Sequence, residues 1–314
     1  MKTMIHVDNL CKKYKGTEKP AVDGIGFDVA EGEFFALLGP NGAGKTTTIS
    51  ILTTILSKTS GTVTIAGLDL DKNTAQIRKN VGIIFQKPSV DLNLSAEVNI
   101  RFHACMYGMY VYRPFFSWMP KAYQNRVMQL AEIMGVEDKL RRPLKTFSGG
   151  MRRKIEIVRS LIHHPKVLFL DEPTQGLDAV SRRSLWEYIN QTRKEEGTTI
   201  FLTTHYIDEA ENVDRICVVK NGAVLISASP QEMKNSLLKK TLILDAQNRE
   251  SLIVELREGG VQPQISEKQI AVPFNEATPM GILGKLKTPL TVMRTVEPTL
   301  EDAYVSLITE KENA

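Results

Sequence analysis

The stretch GPNGAGKTT, residues 39–47, spends three glycines, a lysine and two threonines within nine positions. The spacing from Gly39 to Thr46 is G-x-x-x-x-G-K-T, and it follows the apolar run 34–38. Glycines let a backbone curl until its N–H groups point inward, and a helix N-terminus behind them adds its dipole, which together make an anion cradle. In such a loop Lys45 reaches the β- and γ-phosphates of a nucleotide and the Thr46 hydroxyl becomes a ligand for Mg²⁺. A second stretch, VLFLDEPT at 167–174, runs four apolar residues into Asp171 and Glu172. A buried strand ending in two carboxylates delivers them to the edge where open α/β sheets bind ligands. There Asp171 holds Mg²⁺ through water and Glu172 polarises the attacking water. A third, FSGGMRRK at 147–154, opens a helix with a serine cap and free N–H groups at Ser148, Gly149 and Gly150, a second place for an anion.

The elements that must carry these residues alternate in type. Short apolar or β-branched runs predict strands over 34–38, 63–65, 81–85, 167–170, 199–203, 216–219 and 224–226, the last two joined by the turn KNGA. Helical patterns run over 45–56, 122–134, 149–163 and 179–195. Strands without polar alternation, set between helices, predict an α/β fold with a mostly parallel sheet covered on both faces. Strand signal is sparse between 85 and 167, so that stretch reads as a helical insertion, about 87–165. After residue 235 the texture changes, and 236–314 reads as a small C-terminal α/β domain. Its strands are expected at 241–246, 269–272 and 290–294, and its helices at 249–258, 279–286 and 300–309.

Taken together, the three motifs resemble those of the ATP-binding subunit of ATP-binding cassette (ABC) transporters, over about residues 3–230. The resemblance implies a P-loop, RecA-like core with an antiparallel β edge and a helical subdomain, with ATP and Mg²⁺ as cofactors. It implies that Gly39, Pro40, Asn41, Gly42, Ala43, Gly44, Lys45, Thr46 and Thr47 wrap the phosphates. Ser148, Gly149 and Gly150 match the signature that closes over ATP held by the opposite subunit. Tyr14 stands where the family stacks a ring on adenine. Gln86 matches the residue that contacts Mg²⁺ and senses the membrane partner. Asp178, in GLD, resembles part of the family's loop that crosses between subunits, and His205, in LTTH, resembles its switch histidine near the γ-phosphate. Met151 replaces the commoner Gln after the signature. That change and the tail VEPTLEDAYVSLI, 296–308, resemble the daunorubicin-resistance-like, exporter branch.

Composition narrows the class. The 314 residues carry a net charge of +4, with 42% hydrophobic and 24% charged residues, enough for a sizeable core. Cys11, Cys105 and Cys217 are isolated and odd in number, against a disulfide framework or a zinc site. The opening MKTMIHVDNL lacks a secretory apolar run, and no stretch approaches 18 uninterrupted apolar residues. A membrane role is therefore expected through a separate transmembrane permease subunit, with the chain peripheral on the cytoplasmic face. The other expected partner is a second copy, or a paralogous ATPase, across the nucleotides. Lys139, Arg141, Arg142, Lys145, Arg152, Arg153 and Lys154 cluster either as a solvated helix face or as a surface for nucleic acid, anionic lipid or nucleotide. One phosphate loop and no long coiled coil weigh against the alternative of an ABC-type ATPase acting on ribosomes or nucleic acid, so no nucleic-acid partner is expected. An importer ATPase is the other alternative. The segment 106–123, rich in Tyr, Phe and Trp, reads either as core or as a groove for the permease.

Overall fold

The computed structural model describes residues 2–85, 90–237, 240–266, 269–274 and 279–310. Two compact units divide the chain, Met1–Ser227 and Ala228–Ala314. The first begins with β1 (Thr3–Lys12) and β2 (Val22–Ala30), long strands that the sequence patterning does not reveal. There follow β3 (Phe34–Leu38), α1 (Lys45–Leu52), β4 (Ser60–Ile65), β5 (Leu68–Asp69), α2 (Thr74–Asn80) and β6 (Val81–Ile84). Three helices come next, α3 (Ala96–Met106), α4 (Lys121–Met134) and α5 (Gly149–Leu161), with no named strand among the described residues between β6 and β7. The unit continues through β7 (Val167–Asp171), α6 (Ala179–Glu196), β8 (Thr199–Thr204), α7 (Ile207–Ala210), β9 (Arg215–Lys220) and β10 (Ala223–Ala228).

Two sheets form this unit. The main sheet has the order β10-β9-β3-β8-β7-β6, and the pairs from β9 to β6 are parallel. The hairpin to β10 turns on Asn221 and Gly222, both at positive φ (52° and 80°), the conformation of a tight two-residue turn. The second sheet, β2-β1-β4-β5, is antiparallel. It packs on the main sheet through phenylalanines. Phe27 stacks on Phe35 at 5.1 Å between ring centroids, Phe35 on Phe201 at 5.3 Å, and Phe201 lies 5.4 Å from Phe169. Strand β3 is buried along its whole length, as a central parallel strand must be. Helix α1 ends at Leu52, short of the expected residue 56. Thr53 turns its hydroxyl back onto the Ile49 carbonyl at 2.7 Å and Thr54 adopts φ +63°, held by Arg78.

The second unit holds α8 (Pro230–Leu237), β11 (Lys240–Ala246), α9 (Arg249–Glu258), β12 (Gln264–Ile265), β13 (Ile270–Phe274), α10 (Pro279–Leu283), β14 (Leu290–Val296) and α11 (Leu300–Glu310). Its antiparallel sheet has the order β12-β13-β11-β14. Leu252 and Leu256 of α9 join Leu242, Leu244, Ile270 and Val272 in a separate small core. Thr299 and Asp302 cap α11 reciprocally, each accepting the other's backbone N–H at 3.0–3.1 Å. Helix α8 packs on α11. Among the described residues no helix is long and apolar enough to cross a membrane.

The helical layer encloses two partly buried imidazoles. His103 on α3 and His163, just past α5, flank the Tyr107 ring, each at 4.2 Å between centroids, and His163 Nε2 lies 3.0 Å from the Val81 carbonyl. Burial pushes His103 down to about 3, helped by the nearby Arg159 charge, and His163 down to about 4. Both are neutral in the folded chain, while the unfolded chain takes up their protons near pH 6.5. Their contribution to stability is therefore intact above that pH and is lost progressively below it. We expect urea-unfolding free energy to fall between pH 7.5 and 5, by about 1–2 kcal/mol for each histidine. The double substitution His103→Phe, His163→Gln should flatten that dependence; an undiminished loss would place the pH sensitivity elsewhere.

Candidate active site

Because β3, β8 and β7 run parallel and in register, their C-terminal ends meet at one edge. Leu38 pairs with Thr204, and Thr203 with Asp171. The loop 39–44 leaves β3 at that edge and enters α1. Two of its glycines are fixed by their neighbours: a Cβ on Gly39 would lie 2.3 Å from the Val219 carbonyl oxygen, and one on Gly44 (φ +102°) 2.6 Å from that of Ala21. The loop, with Ala21, Lys45, Thr46, Thr47 and Glu172, lines a cleft of about 370 Å³. Asn41, Gly42, Ala43 and Gly44 lie on its wall, while Pro40 lends its carbonyl to Lys45.

Lys45 is buried, and its ammonium donates to the carbonyls of Gly39 (2.5 Å) and Pro40 (3.0 Å). Burial lowers its pKa, opposed by the carboxylates of Glu172 and Asp171. Asp171, also buried, accepts a hydrogen bond from the Thr203 hydroxyl, and burial raises its pKa. The neighbouring Glu172 sits at φ +47°, a left-handed conformation that a residue with a side chain adopts at a cost of about 1 kcal/mol or more. Its N–H donates to the Thr203 carbonyl at 3.0 Å, and its Oε1 lies 2.9 Å from His205 Nδ1. Thr46 is exposed at the cleft, and the hydroxyls of Tyr14 and Thr47 stand 3.3 Å apart. The Tyr14 ring, 41% exposed, is thus available for stacking beside the loop. Thr46 and Asp171 are hard oxygen donors of the kind Mg²⁺ selects. Gln86 lies outside the described residues.

The signature residues do not line that cleft. Ser148 caps α5, its Oγ accepting from the Met151 N–H at 3.3 Å, and both Ser148 and Gly149 are exposed. Gly149 has open space where a Cβ would be, and Gly150 lies under the Gly176 carbonyl. Asp178 caps α6, accepting from the N–H and hydroxyl of Ser181 at 2.8 Å each. The fold therefore unites Tyr14, the phosphate loop, Asp171, Glu172 and His205, while Ser148, Gly149 and Gly150 are not among the residues lining the cleft.

Two residues bear on this site without a sequence signal of their own. Glu209 accepts from the hydroxyls of Thr174 and Thr204, pinning the segments that follow β7 and β8. Arg153 reads as one of seven clustered cations, but its side chain is buried beneath the ends of β6 and β7, where carbonyls and Glu156 surround it. It is no part of a solvated face or of a surface for an anionic partner. Arg141, Arg142 and Lys145 do face solvent.

The aromatic segment divides. Tyr123 and Met119 are core, and Phe116 packs edge-on against Tyr123 at 5.9 Å. Phe115 (57% exposed) and Trp118 (55%) form an edge-to-face pair at 4.8 Å on the surface. Phe102 stacks on Tyr112 at 5.3 Å, also exposed, with Met106 and Val111 among the exposed apolar side chains of the same stretch.

Comparison with known proteins points in one direction. Residues 22–175 match the sequence profile of the ABC transporter family. The chain is 39% identical over 249 residues to the daunorubicin/doxorubicin resistance ATP-binding protein DrrA of Streptomyces peucetius, covering 78% of this chain and 72% of that one. It is 30% identical over 314 residues to the bacitracin transport ATP-binding protein BcrA of Bacillus licheniformis, covering 98% of each. A dimeric ATP-binding cassette solved in a post-hydrolysis state, bound to ADP and Pi, superimposes with a TM-score of 0.64 at 26% identity, over 72% of this chain and 98% of that one. The phosphate loop, the carboxylate-ended β7 and the fold that joins them are thus those of a recognised family: the chain belongs to the ABC transporters, among their ATP-binding subunits.

Proposed function

We propose that this chain is the ATP-hydrolysing subunit of a membrane exporter, acting as a dimer in which each ATP lies between the phosphate loop of one copy and Ser148–Gly150 of the other. One observation carries the reading: the loop 39–44 lines a cleft with Lys45 and Glu172, while the exposed, glycine-opened start of α5, suited to an anion by its free N–H groups, is not among the residues lining it. A second copy related by a two-fold axis brings each to the other's cleft.

In that arrangement the loop N–H groups and Lys45 hold the phosphates, and Tyr14 stacks on the base. Mg²⁺, when bound by Thr46 and Asp171 with Gln86, neutralises phosphate charge. Glu172, aimed by its backbone conformation and by His205, takes a proton from the attacking water. Closure of the dimer favours the ATP-bound state, and loss of the γ-phosphate removes that preference. The exporter assignment draws on the relatives named for daunorubicin resistance and bacitracin transport, on Met151 and on the tail at 296–308. The membrane partner is a separate permease, and the chain sits on the cytoplasmic face through it. The exposed rings of Phe115, Trp118, Phe102 and Tyr112 suit a seat for an apolar segment of that permease, since exposed aromatic patches mark interaction sites.

Two experiments test this. Glu172→Gln keeps the side-chain shape but removes the base, so turnover should fall about 10²–10⁴-fold while ATP binding persists. With Mg²⁺ and ATP the variant should run as a dimer in size-exclusion chromatography, and adding Ser148→Arg should return it to a monomer. A monomer from Glu172→Gln at saturating ATP contradicts the dimer. For the permease seat, Phe115→Ser with Trp118→Ser should leave the ATPase rate of the isolated chain unchanged and cost little stability, within about 1 kcal/mol, because both rings are more than half exposed. Co-purification with the permease should be lost, as expected when aromatic anchors go. Retained co-purification would move the seat elsewhere on the molecule.

A further inference from the structure

Arg153 lies one turn inside α5, the helix that opens with Ser148–Gly150. Its guanidinium gathers the carbonyls at the ends of two strands. Nε donates to Pro173 O (3.0 Å), one terminal nitrogen donates to Glu172 O (3.1 Å) and Asp171 O (3.4 Å), and the other donates to Phe85 O and to Glu156 Oε2 (3.2 Å). The side chains of Arg153 and Glu156 are 4% and 2% exposed, so the cation is compensated by a buried carboxylate. A buried pair of this kind is a weak source of stability, because desolvation offsets its attraction. The contacts instead have a shape: a planar fork meets four carbonyls that come from the ends of the adjacent strands β6 and β7. Lysine, a single point charge, does not reproduce that geometry.

What the fork holds matters. Glu172 has a left-handed backbone (φ +47°), and such a conformation persists only where its surroundings impose it. Its N–H is fixed by Thr203 O and its C=O by Arg153. These two bonds clamp the peptide on either side of the strained residue, and the direction of the strain sets where the carboxylate points. Phe85, also held, is the residue directly before Gln86.

We infer that Arg153 is a positioning residue: it fixes the backbone of Glu172 and ties it to the signature helix of the same chain. The inference rests on the proposed role of Glu172 in turnover. It gives the two nucleotide sites of the dimer a mechanical link. The start of α5 meets the ATP of the partner copy, while Arg153, on the same rigid helix, holds the water-orienting residue of its own copy. A shift of α5 on engaging the partner's nucleotide therefore moves the clamp on Glu172.

The test is steady-state ATP hydrolysis with a separate measurement of nucleotide affinity. Arg153→Lys keeps a cation beside Glu156 but loses the fork. It should lower kcat about a hundredfold, the order expected when a catalytic group is displaced by about 1 Å. KM and ATP affinity should stay at wild-type values, because Lys45 and the phosphate loop are untouched, while the melting temperature should fall because buried carbonyls lose their donor. Glu156→Gln keeps the fork and removes the charge partner, and should retain most of kcat. Wild-type kcat in Arg153→Lys, or an equal loss of kcat in both variants, overturns the inference. So does a loss of kcat matched by an equal weakening of ATP affinity. A wild-type chain that neither binds nor hydrolyses ATP would instead sink the proposed function on which the inference stands.

Discussion

The parallel register of β3, β8 and β7 is the constraint on which the rest depends. Parallel strands bring their C-terminal ends to one side of a sheet, so whatever follows each strand shares a neighbourhood. Here those followers are the phosphate loop, His205 and the pair Asp171–Glu172. A shift of one residue would turn every side chain of a strand to the opposite face. The register is fixed by apolar side chains buried on both faces, among them Phe35, Phe169 and Phe201, and a large-to-small change at such a ring typically costs about 3–5 kcal/mol. The antiparallel sheet matters for the same reason: Phe27 closes one face of this core, and Ala21, just before β2, helps line the cleft.

Electrostatics at this edge follow from burial. Lys45 and Asp171 are both withdrawn from water, which lowers one pKa and raises the other. Each is partly compensated by the other's charge, and Glu172 adds a second carboxylate near the ammonium. The Lys45 ammonium rests on two loop carbonyls, a weaker partnership than an ammonium makes with an anionic phosphate. A polyphosphate in this cleft would therefore improve on the contacts already present. Glu172 is organised differently. Its backbone strain is held by Thr203 and Arg153, and its carboxylate is met by His205, so the aim of the group is set before any substrate arrives.

Much of this was legible in the residues. The phosphate loop, β7 with its two carboxylates and the capped start of α5 each carry a local signal, because backbone conformation demands particular residue types there. Strands β1 and β2 carry weaker signals, each for its own reason. Register shifts and Asn9 at φ +48° interrupt β1, whereas β2 alternates over Ile25, Phe27 and Val29 but carries two glycines and two aspartates, residues with little strand preference. Arg153 escaped for a different reason. A cation among cations looks solvent-facing in sequence, and only the three-dimensional convergence of Phe85, Asp171, Glu172 and Pro173 shows otherwise. The aromatic segment was ambiguous in sequence because it serves both ends: Tyr123 and Met119 anchor the helical layer, and Phe115 and Trp118 stay outside.

The central claim is that one complete nucleotide site needs two chains. Complementation measures it most directly. Lys45→Met removes the phosphate-binding cation from one chain, and Ser148→Arg blocks the signature of the other. Each variant alone should be inactive, since every site in its homodimer contains the defect. Mixed, the two form heterodimers in which both defects fall in one site, and the other site combines an intact Lys45 with an intact Ser148. Mixing the two inactive chains should therefore restore ATP hydrolysis. A mixture as inactive as its components, under conditions where the heterodimer is shown to form, would contradict it.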